Sequence, residues 1–461
     1  MLTTWGLPAA LALVVIASFA LSPRVRHVEG FFRGTGAGGA APGLLTLVLS
    51  QVTTWIFARS LMNAAILGFY YGMAGALAYA GYYLSFLTGA AIIDGIRFRH
   101  GHASIQGFLA SRFGRPGTAC YNVLVAVRLV SEVFANLLVV GIIFGAAGSL
   151  ANTAAIAVIA VLTLAYSMLG GLRASLRTDV LQMTLLLGAL AALLVQIGLG
   201  PGYDLGAVLT SSPDASGPGW VLLAVAALQI WSYPMHDPVM MDRGLLADRR
   251  TTRRSFLHAA WLSALCILAF GLIGTQAGLA SAAGEALIDT LGRLLDPVTL
   301  LLFNLILVIS AVSTLDSTLS SASKLAVMDM RLAAPSVKNG RIAMAGFMAA
   351  GLLLLFTGSE DLFSAVAVSG TAAMYLAPVI VLTIWLDRAV ALWSYLAAFA
   401  ASMAGAVLYF LEAGGHAPWI AAATGLEHKY SVLLAICLVV LVLGFGAFAL
   451  GDRGRVRTVS S

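Results

Sequence analysis

Stretches of about 20 residues with scarcely a charge recur along this chain, from TTWGLPAALALVVIASFALS near its start to YSVLLAICLVVLVLGFGAFAL near its end. Wound as α-helices, they are long enough to cross a hydrocarbon layer about 30 Å thick. Lipid offers no partner to a backbone N–H or C=O, so each spanning run must satisfy its own, and a helix does this within one segment. Composition points the same way: 60% of the 461 residues are hydrophobic and 10% are charged, where soluble domains carry about 45 to 50% and about 25%. The expected fold class is an all-α polytopic membrane protein. The runs follow one another so closely that 1–461 reads as one bundle rather than several domains.

The hydropathy pattern predicts thirteen spans, at 3–22, 43–66, 72–96, 119–147, 150–169, 178–200, 219–242, 253–280, 296–330, 340–357, 361–386, 389–411 and 429–450. The first run has no basic leader and is followed by the charged SPRVRHVEGF, so it counts as a span rather than a signal peptide. With the N-terminus outside, the inner loops include SPRVRHVEGFFRG, IRFRHGHASIQGFLASRFGRPG, GGLRASLRTD, DRGLLADRRTTRRS and DMRLAAPSVKNGR, and nearly all Arg and Lys fall on that side. The alternate loops GYDLGAVLTSSPDASGPG and TGSED contain neither residue. This asymmetry predicts an outside N-terminus and a cytoplasmic C-terminus, in a cell membrane of the bacterial inner-membrane kind. It also accounts for the net charge of +6, so no nucleic-acid partner is expected. Cys120, Cys266 and Cys437 stand singly, which predicts neither a metal centre nor a disulfide framework.

The ninth span departs from the apolar pattern: VTLLLFNLILVI runs straight into SAVSTLDSTLSSASK. At 100° per residue, Ser310, Ser313, Thr314, Ser317 and Ser321 share one stripe, with Asp316, Ser320 and Ser323 on the next. Two accounts fit. Small hydroxyl residues let membrane helices approach closely and bond back to their own carbonyls. Alternatively, adjacent Ser313 and Thr314 join carbonyls of a broken helix to give a sodium ion the several oxygens it needs on losing its water.

Two other spans read as broken. In the second, LSQVTTW sets four polar side chains in succession near mid-membrane, where they must face protein, water or ligand. An unwound turn is expected there. In the seventh, LQIWSYPMHDPVMMDRG, Pro234 and Pro238 remove two backbone donors and disfavour helix before them, which predicts a break around Tyr233 to Asp237. The candidate solute lining is Ser50, Gln51, Thr53, Trp55, Gln229 and Tyr233, hydrogen-bonding groups mixed with aromatic walls. Arg59, Arg128 and Glu132 are buried charges that must face the bundle. They form either a structural cluster or a site in which one guanidinium holds a substrate carboxylate. Two arginines against Glu132 leave one positive charge over, unless Asp237 absorbs it. On that count an amino acid or carboxylate is the expected solute, with urea or another neutral amide as the alternative. His236 and Asp237 are candidate gate or proton-carrying groups, as is Glu132.

The stretch GGLRASLRTDVLQ, residues 170–182, together with STLDSTLSSAS resembles the sodium:solute symporter family, whose members share a GGL-x-A-x-x-x-TD-x-x-Q signature and a Ser-Ser or Ser-Thr pair on a later helix. The segment FFRG and the loop DRGLLADRRTTRRS, where the family commonly has QR-x-x-x-A, fall in the same order. The resemblance implies a core of two inverted five-helix repeats, spans 2–6 and 7–11, the fold first associated with a bacterial leucine transporter. The chain would then divide into a leading helix and loop (1–40), a first repeat (41–200), a second repeat (201–386) and two peripheral helices (387–461). It implies a symporter that couples inward sodium movement to solute uptake, with Na+ as coupling ion and no other cofactor. Its sodium ligands would be the hydroxyls of Ser313 and Thr314 and the carbonyls of Ser310, Leu49 and Val52, with Asp179 aiding sodium release. His236-Asp237-Pro238 stands where the family commonly has Gln or Asn-Gln, so the substrate is not carried over.

An enzyme is not expected: the sequence has no HExxH, no nucleophile elbow and no GxxxxGK. A transporter-like solute sensor is a further alternative, and it would need a partner protein.

Overall fold

Two of the spans are interrupted at mid-length, and these interruptions organise the rest. The computed structural model describes residues 2–36, 39–200, 202–355 and 368–455. Helix α1 (Leu2–Leu21) and short α2 (Val28–Arg33) lead to α3 (Leu44–Trp55). The backbone leaves helical geometry at Ile56 (φ −81°, ψ 73°) and is extended at Phe57 before α4 (Ala58–Gly81) resumes. Span 2 is thus α3 plus the first half of α4. At Gly72 (φ 62°, ψ −148°) the chain turns into span 3, and the hydroxyls of Ser211 and Ser212 accept from the exposed amides of Met73 (2.8 Å) and Ala74 (3.0 Å). A Cβ on Gly72 would lie 2.6 Å from Ser211 Oγ, so both the positive φ and the space demand glycine. Span 3 ends in α5 (Ser85–Ile93) and a π turn at Asp94–Arg99.

Long α6 (Ile105–Phe144) has a second corner at Gly114 (φ 64°) and crosses as span 4 from there on. Helices α7 (Leu150–Gly170) and α8 (Leu172–Gly198) are spans 5 and 6. After short α9 (Leu205–Leu209), span 7 consists of α10 (Pro218–Gln229), a 3-10 turn at Tyr233–His236 and α11 (Pro238–Gly244). The break lies where the two prolines predict it. Asp237 restarts the helix as its N-cap, accepting from the Met240 amide at 3.1 Å. Helices α12 (Arg249–Leu279), α14 (Pro297–Lys324) and α15 (Val337–Leu355) are spans 8 to 10, with short α13 (Leu287–Leu294) between the first two. The described part of span 11 is 368–385, including α16 (Leu376–Pro378). Helices α17 (Leu392–Ala413) and α19 (Lys429–Leu450) are spans 12 and 13, joined through α18 (Trp419–Thr424). The predicted span ends at 356–357 and 361–367, and the loop TGSED, lie outside the described residues.

The protein is therefore an all-α polytopic membrane protein with a broken helix leading each of two five-helix units. One antiparallel ribbon, β1 (Arg388–Val390) with β2 (Asp452–Arg455), ties the start of α17 to the end of α19. Strands this short carry no periodic signal, so the sequence did not announce them. Helices α4 and α12 meet backbone to backbone: a Cβ on Gly68 would lie 2.0 Å from the Gly271 carbonyl, and one on Gly274 would lie 1.9 Å from that of Ala65. Helix α14 is the centre of the bundle. It touches α1, α3, α4, α6, α7, α8, α11 and α15, and every residue from Ile306 to Ser323 is buried.

Candidate functional site

The break in span 2 falls just after its polar run. Ser50, Gln51, Thr53 and Thr54 lie in regular helix, and the chain opens only at Ile56 and Phe57. Distant side chains stabilise the opening. Asn136 Oδ1 on α6 accepts from the Ala58 amide (3.1 Å), Tyr83 donates its hydroxyl to the Trp55 carbonyl (2.7 Å), and Ser310 on α14 donates to the Ile56 carbonyl. The expected carbonyl pair, Leu49 and Val52, lies just before the opening. Leu49 sits inside the helix, and the Val52 carbonyl already accepts from the Ile56 amide at 2.9 Å. A helix end leaves the carbonyls of its last turn without intrahelical donors, here Thr53 to Ile56, and of these Trp55 and Ile56 accept from Tyr83 and Ser310.

The hydroxyl stripe of α14 faces this opening and the cluster below it. Ser313 donates to Asp179 Oδ1 (3.1 Å) and Ser317 approaches the same oxygen (3.3 Å), while Ser321 donates to Asp242 (2.8 Å). Thr314 Oγ1 is fully buried and has no hydrogen-bond partner among the described residues. Among the described hydroxyls of the two stripes, only that of Ser320 bonds back to a carbonyl of its own helix, that of Asp316 (2.9 Å). The side chain of Asp316 accepts from Tyr166 and Thr178, each at 2.8 Å.

Asp179 is wholly buried at the meeting point of four helices. It accepts from Ser50 (2.5 Å) as well as Ser313, and the guanidinium of Arg243 stands 3.5 Å away. Arg243, on α11, is itself fully buried and also donates to Ser50 (3.1 Å), Ser175 (3.1 Å), Ser317 (2.9 Å) and the Val239 carbonyl (3.1 Å). Beside it Asp242 pairs with Lys324 of α14 at 2.7 Å. The loop motif DRGLLADRRTTRRS had suggested that Arg243 belonged to the solvated inner face. The signal missed was its place on the last turn of the α11 half-helix, one residue before Gly244.

The other charges form a closed quartet. Glu132 contacts both Arg59 and Arg128, and Arg128 Nη2 lies 3.0 Å from Asp237 Oδ2, which also accepts from Trp55 Nε1 at 2.9 Å. All four are buried. Two positive charges face two negative ones, so the surplus that favoured a carboxylate solute does not exist: Asp237 absorbs it. Arg59 and Arg128 also lie over the ring of Phe57, at 5.3 and 5.4 Å from its centroid. Arg59 Nε and Nη1 have no acceptor among the described residues.

Next to the quartet, Trp55, Phe57, Ser60, Tyr79, Tyr82, Tyr83 and Tyr233 line a narrow crevice of about 20 Å³, room for about one water. Trp55 and Tyr233 belong to the expected lining, and their rings meet edge to face at 5.7 Å. The tyrosines at 79, 82 and 83 were not anticipated, because they come from span 3, which carried no polar signal. Gln229 flanks the cavity, accepting from the Tyr82 hydroxyl (2.9 Å) and lying 3.3 Å from Thr371 Oγ1. Ser50 belongs instead to the Asp179 cluster, and neither Gln51 nor Thr53 lines this cavity. Both amide atoms of Gln51 are buried without a partner among the described residues. His236 is held by Ser369 Oγ (3.0 Å) and the Tyr233 carbonyl (2.5 Å).

No protein-family model matches this chain, and no curated protein does. Solved structures do. A Na+-coupled sialic acid symporter in a substrate-bound outward-open state aligns over 99% of both chains with a TM-score of 0.72 at 15% identity. The chain has the leucine-transporter-like inverted-repeat fold. Mhp1, a nucleobase-cation-symport-1 family transporter in a closed conformation with bromovinylhydantoin bound, aligns over 93% of this chain and 94% of its own, with a TM-score of 0.60 at 13% identity. At such identities the likeness is one of architecture, and the chemistry must be argued from the residues.

Proposed function

We propose that this chain is a sodium-coupled symporter of the sodium:solute symporter type that imports a small polar organic solute by alternating access. The observation that carries the reading is Thr314 Oγ1, a buried hydroxyl with no partner among the described residues, next to Ser313 and on the helix face that also reaches the opened end of α3. An unpaired buried hydroxyl costs about 1–3 kcal/mol, and an ion that uses it removes that cost. The proposed ligands are the hydroxyls of Ser313 and Thr314 with carbonyls from Thr53 to Ile56, and Asp179 lies one step further along the path to the α11 side. A Na+-coupled sialic acid symporter of the same fold adds support. The repeats are assigned to 41–200 and 201–386, with the N-terminus outside and the C-terminus cytoplasmic in the cell membrane.

The aromatic crevice between the two breaks is too small for an organic solute as it stands, and the solute is proposed to enter it when the two broken helices part. A charge-balanced quartet at its edge suits a solute with no net charge, one that stacks on the rings and offers an oxygen to the open N–H groups of Arg59. Uptake into proteoliposomes against sodium concentration tests the coupling. Loss of sodium dependence in the wild type would remove the reading. A proton-coupled reading also has support: Asp179 and Asp316, both 3.3 Å from Ser317 Oγ, face the single guanidinium of Arg243, so this cluster holds one carboxylate more than it has cations. Uptake driven by a pH gradient in sodium-free buffer would favour it.

A further inference from the structure

At the end of the bundle where α1 finishes and α15 begins, four basic side chains converge on one recess. Arg24 and Arg26 come from the segment after α1, and Lys338 and Arg341 from the first turns of α15. The walls are fixed by two main-chain anchors: the Val25 amide donates to the Leu169 carbonyl (2.8 Å), and Arg341 Nε donates to the Met168 carbonyl (2.7 Å). None of the four cations has a carboxylate within ion-pair distance among the described residues, whereas Arg33, Arg112 and Arg249 each have one and Lys324 has two. Like charges held together without a counterion repel, and the field they create draws an anion into the recess.

The position of the recess indicates where that anion comes from. It lies at the end of three spans, α1, α7 and α15, hence at the boundary between hydrocarbon and water. Helix α1, which leads into the recess, exposes Leu13, Ile16 and Leu21, apolar surface on the same helix for a chain attached to the anion. A basic pocket between the ends of membrane helices, one of which exposes apolar side chains, matches a phosphodiester carrying acyl chains better than a free ion. We propose that this recess binds the headgroup phosphate of an anionic membrane phospholipid. Both α1 and α15 pack on α14, so the lipid would brace the helix that carries the hydroxyl stripe from two sides.

The test is thermal unfolding of the purified protein in neutral detergent during titration with phosphatidylglycerol, phosphatidylcholine or inorganic phosphate. Phosphatidylglycerol is expected to raise the midpoint saturably, and the other two to leave it unchanged. Each cation removed should raise the half-saturating lipid about fivefold, so Arg24→Gln with Arg26→Gln should raise it roughly 25-fold. Both positions are exposed, and Arg24→Lys with Arg26→Lys, which keeps the charge, should retain the wild-type value. An equal response to phosphatidylcholine, an equal response to inorganic phosphate, or an unchanged half-saturation in the glutamine variant would each overturn the assignment.

Discussion

Thr314→Val distinguishes an ion ligand from helix packing, because the two roles move stability in opposite directions. Valine keeps the shape of threonine and removes Oγ1, which is fully buried and has no partner among the described residues. A packing hydroxyl would have a bond to lose. Here there is none, so in sodium-free buffer the variant should be as stable as the wild type or more so, by up to about 1–3 kcal/mol. With sodium present the expectation reverses. If Thr314 supplies one of about five oxygens around the ion, the loss of as little as 1.4 kcal/mol weakens sodium binding tenfold. Two measurements suffice: thermal unfolding with choline in place of sodium, and solute uptake into proteoliposomes against external sodium. Ser313→Ala is the useful contrast, since it also breaks the 3.1 Å bond to Asp179 and should lose stability even in choline. A Thr314→Val protein with wild-type half-saturating sodium would falsify the ligand role, and one that unfolds early in choline would mean the hydroxyl has a structural partner.

Asp237→Asn should cost about 3–5 kcal/mol by leaving the Arg128 guanidinium under-compensated, and Arg128→Gln in the same chain should recover part of the lost unfolding midpoint. Arg243→Lys replaces five directed donors by a point charge that cannot reach Ser50, Ser175, Asp179 and Ser317 together; uptake should fall at least about tenfold (~1.4 kcal/mol) in a protein that still folds, read as transport per reconstituted molecule. Gly274→Ala forces a Cβ to 1.9 Å from the Ala65 carbonyl, so poor membrane expression or a strongly lowered midpoint is expected. In saturating sodium, a neutral amide or zwitterion at a hundred times its dissociation constant should stabilise by about 2.7 kcal/mol; stabilisation by carboxylates alone, abolished in Arg59→Gln, would reverse the neutral-solute reading.

The spans were legible because lipid imposes one length and one polarity on each of them, and the break in span 7 because Pro234 and Pro238 cannot continue a helix. The break in span 2 was read several residues early. No proline or glycine marks it, and the polarity of Ser50 to Thr54 signalled neighbours rather than unwinding: Ser50 reaches Asp179 on α8 and Arg243 on α11 without leaving the helix. The opened turn is held by Tyr83, Asn136 and Ser310, which lie 28, 78 and 254 positions from the groups they bind at Trp55, Ala58 and Ile56. Local sequence has no access to such partners. The same limit applies to Asp237, whose pairing with Arg128 spans 109 positions and changed the charge count on which the solute class rested.

The α14 stripe links both breaks, and this bears on how ion and solute movements would be coupled. Its upper hydroxyl, Ser310, holds the opened carbonyl of Ile56 from span 2, while about two and three turns further along, Ser317 and Ser321 hold Arg243 and Asp242 of the half-helix that ends span 7. Ser313 and Thr314 lie between the two attachments. An ion at that level would bond to α14 and to the end of α3 at once, so it is bound well only while span 2 is docked on α14. Its neighbour Asp179 is shared with Arg243, so any change in the charge that Asp179 faces alters the hold on α11 as well. A ligand shifts a conformational equilibrium only by its difference in affinity for the two states. On the proposed reading that difference would come from a single helix face to which both broken helices are attached, which would give the concentration of hydroxyls on α14 its role.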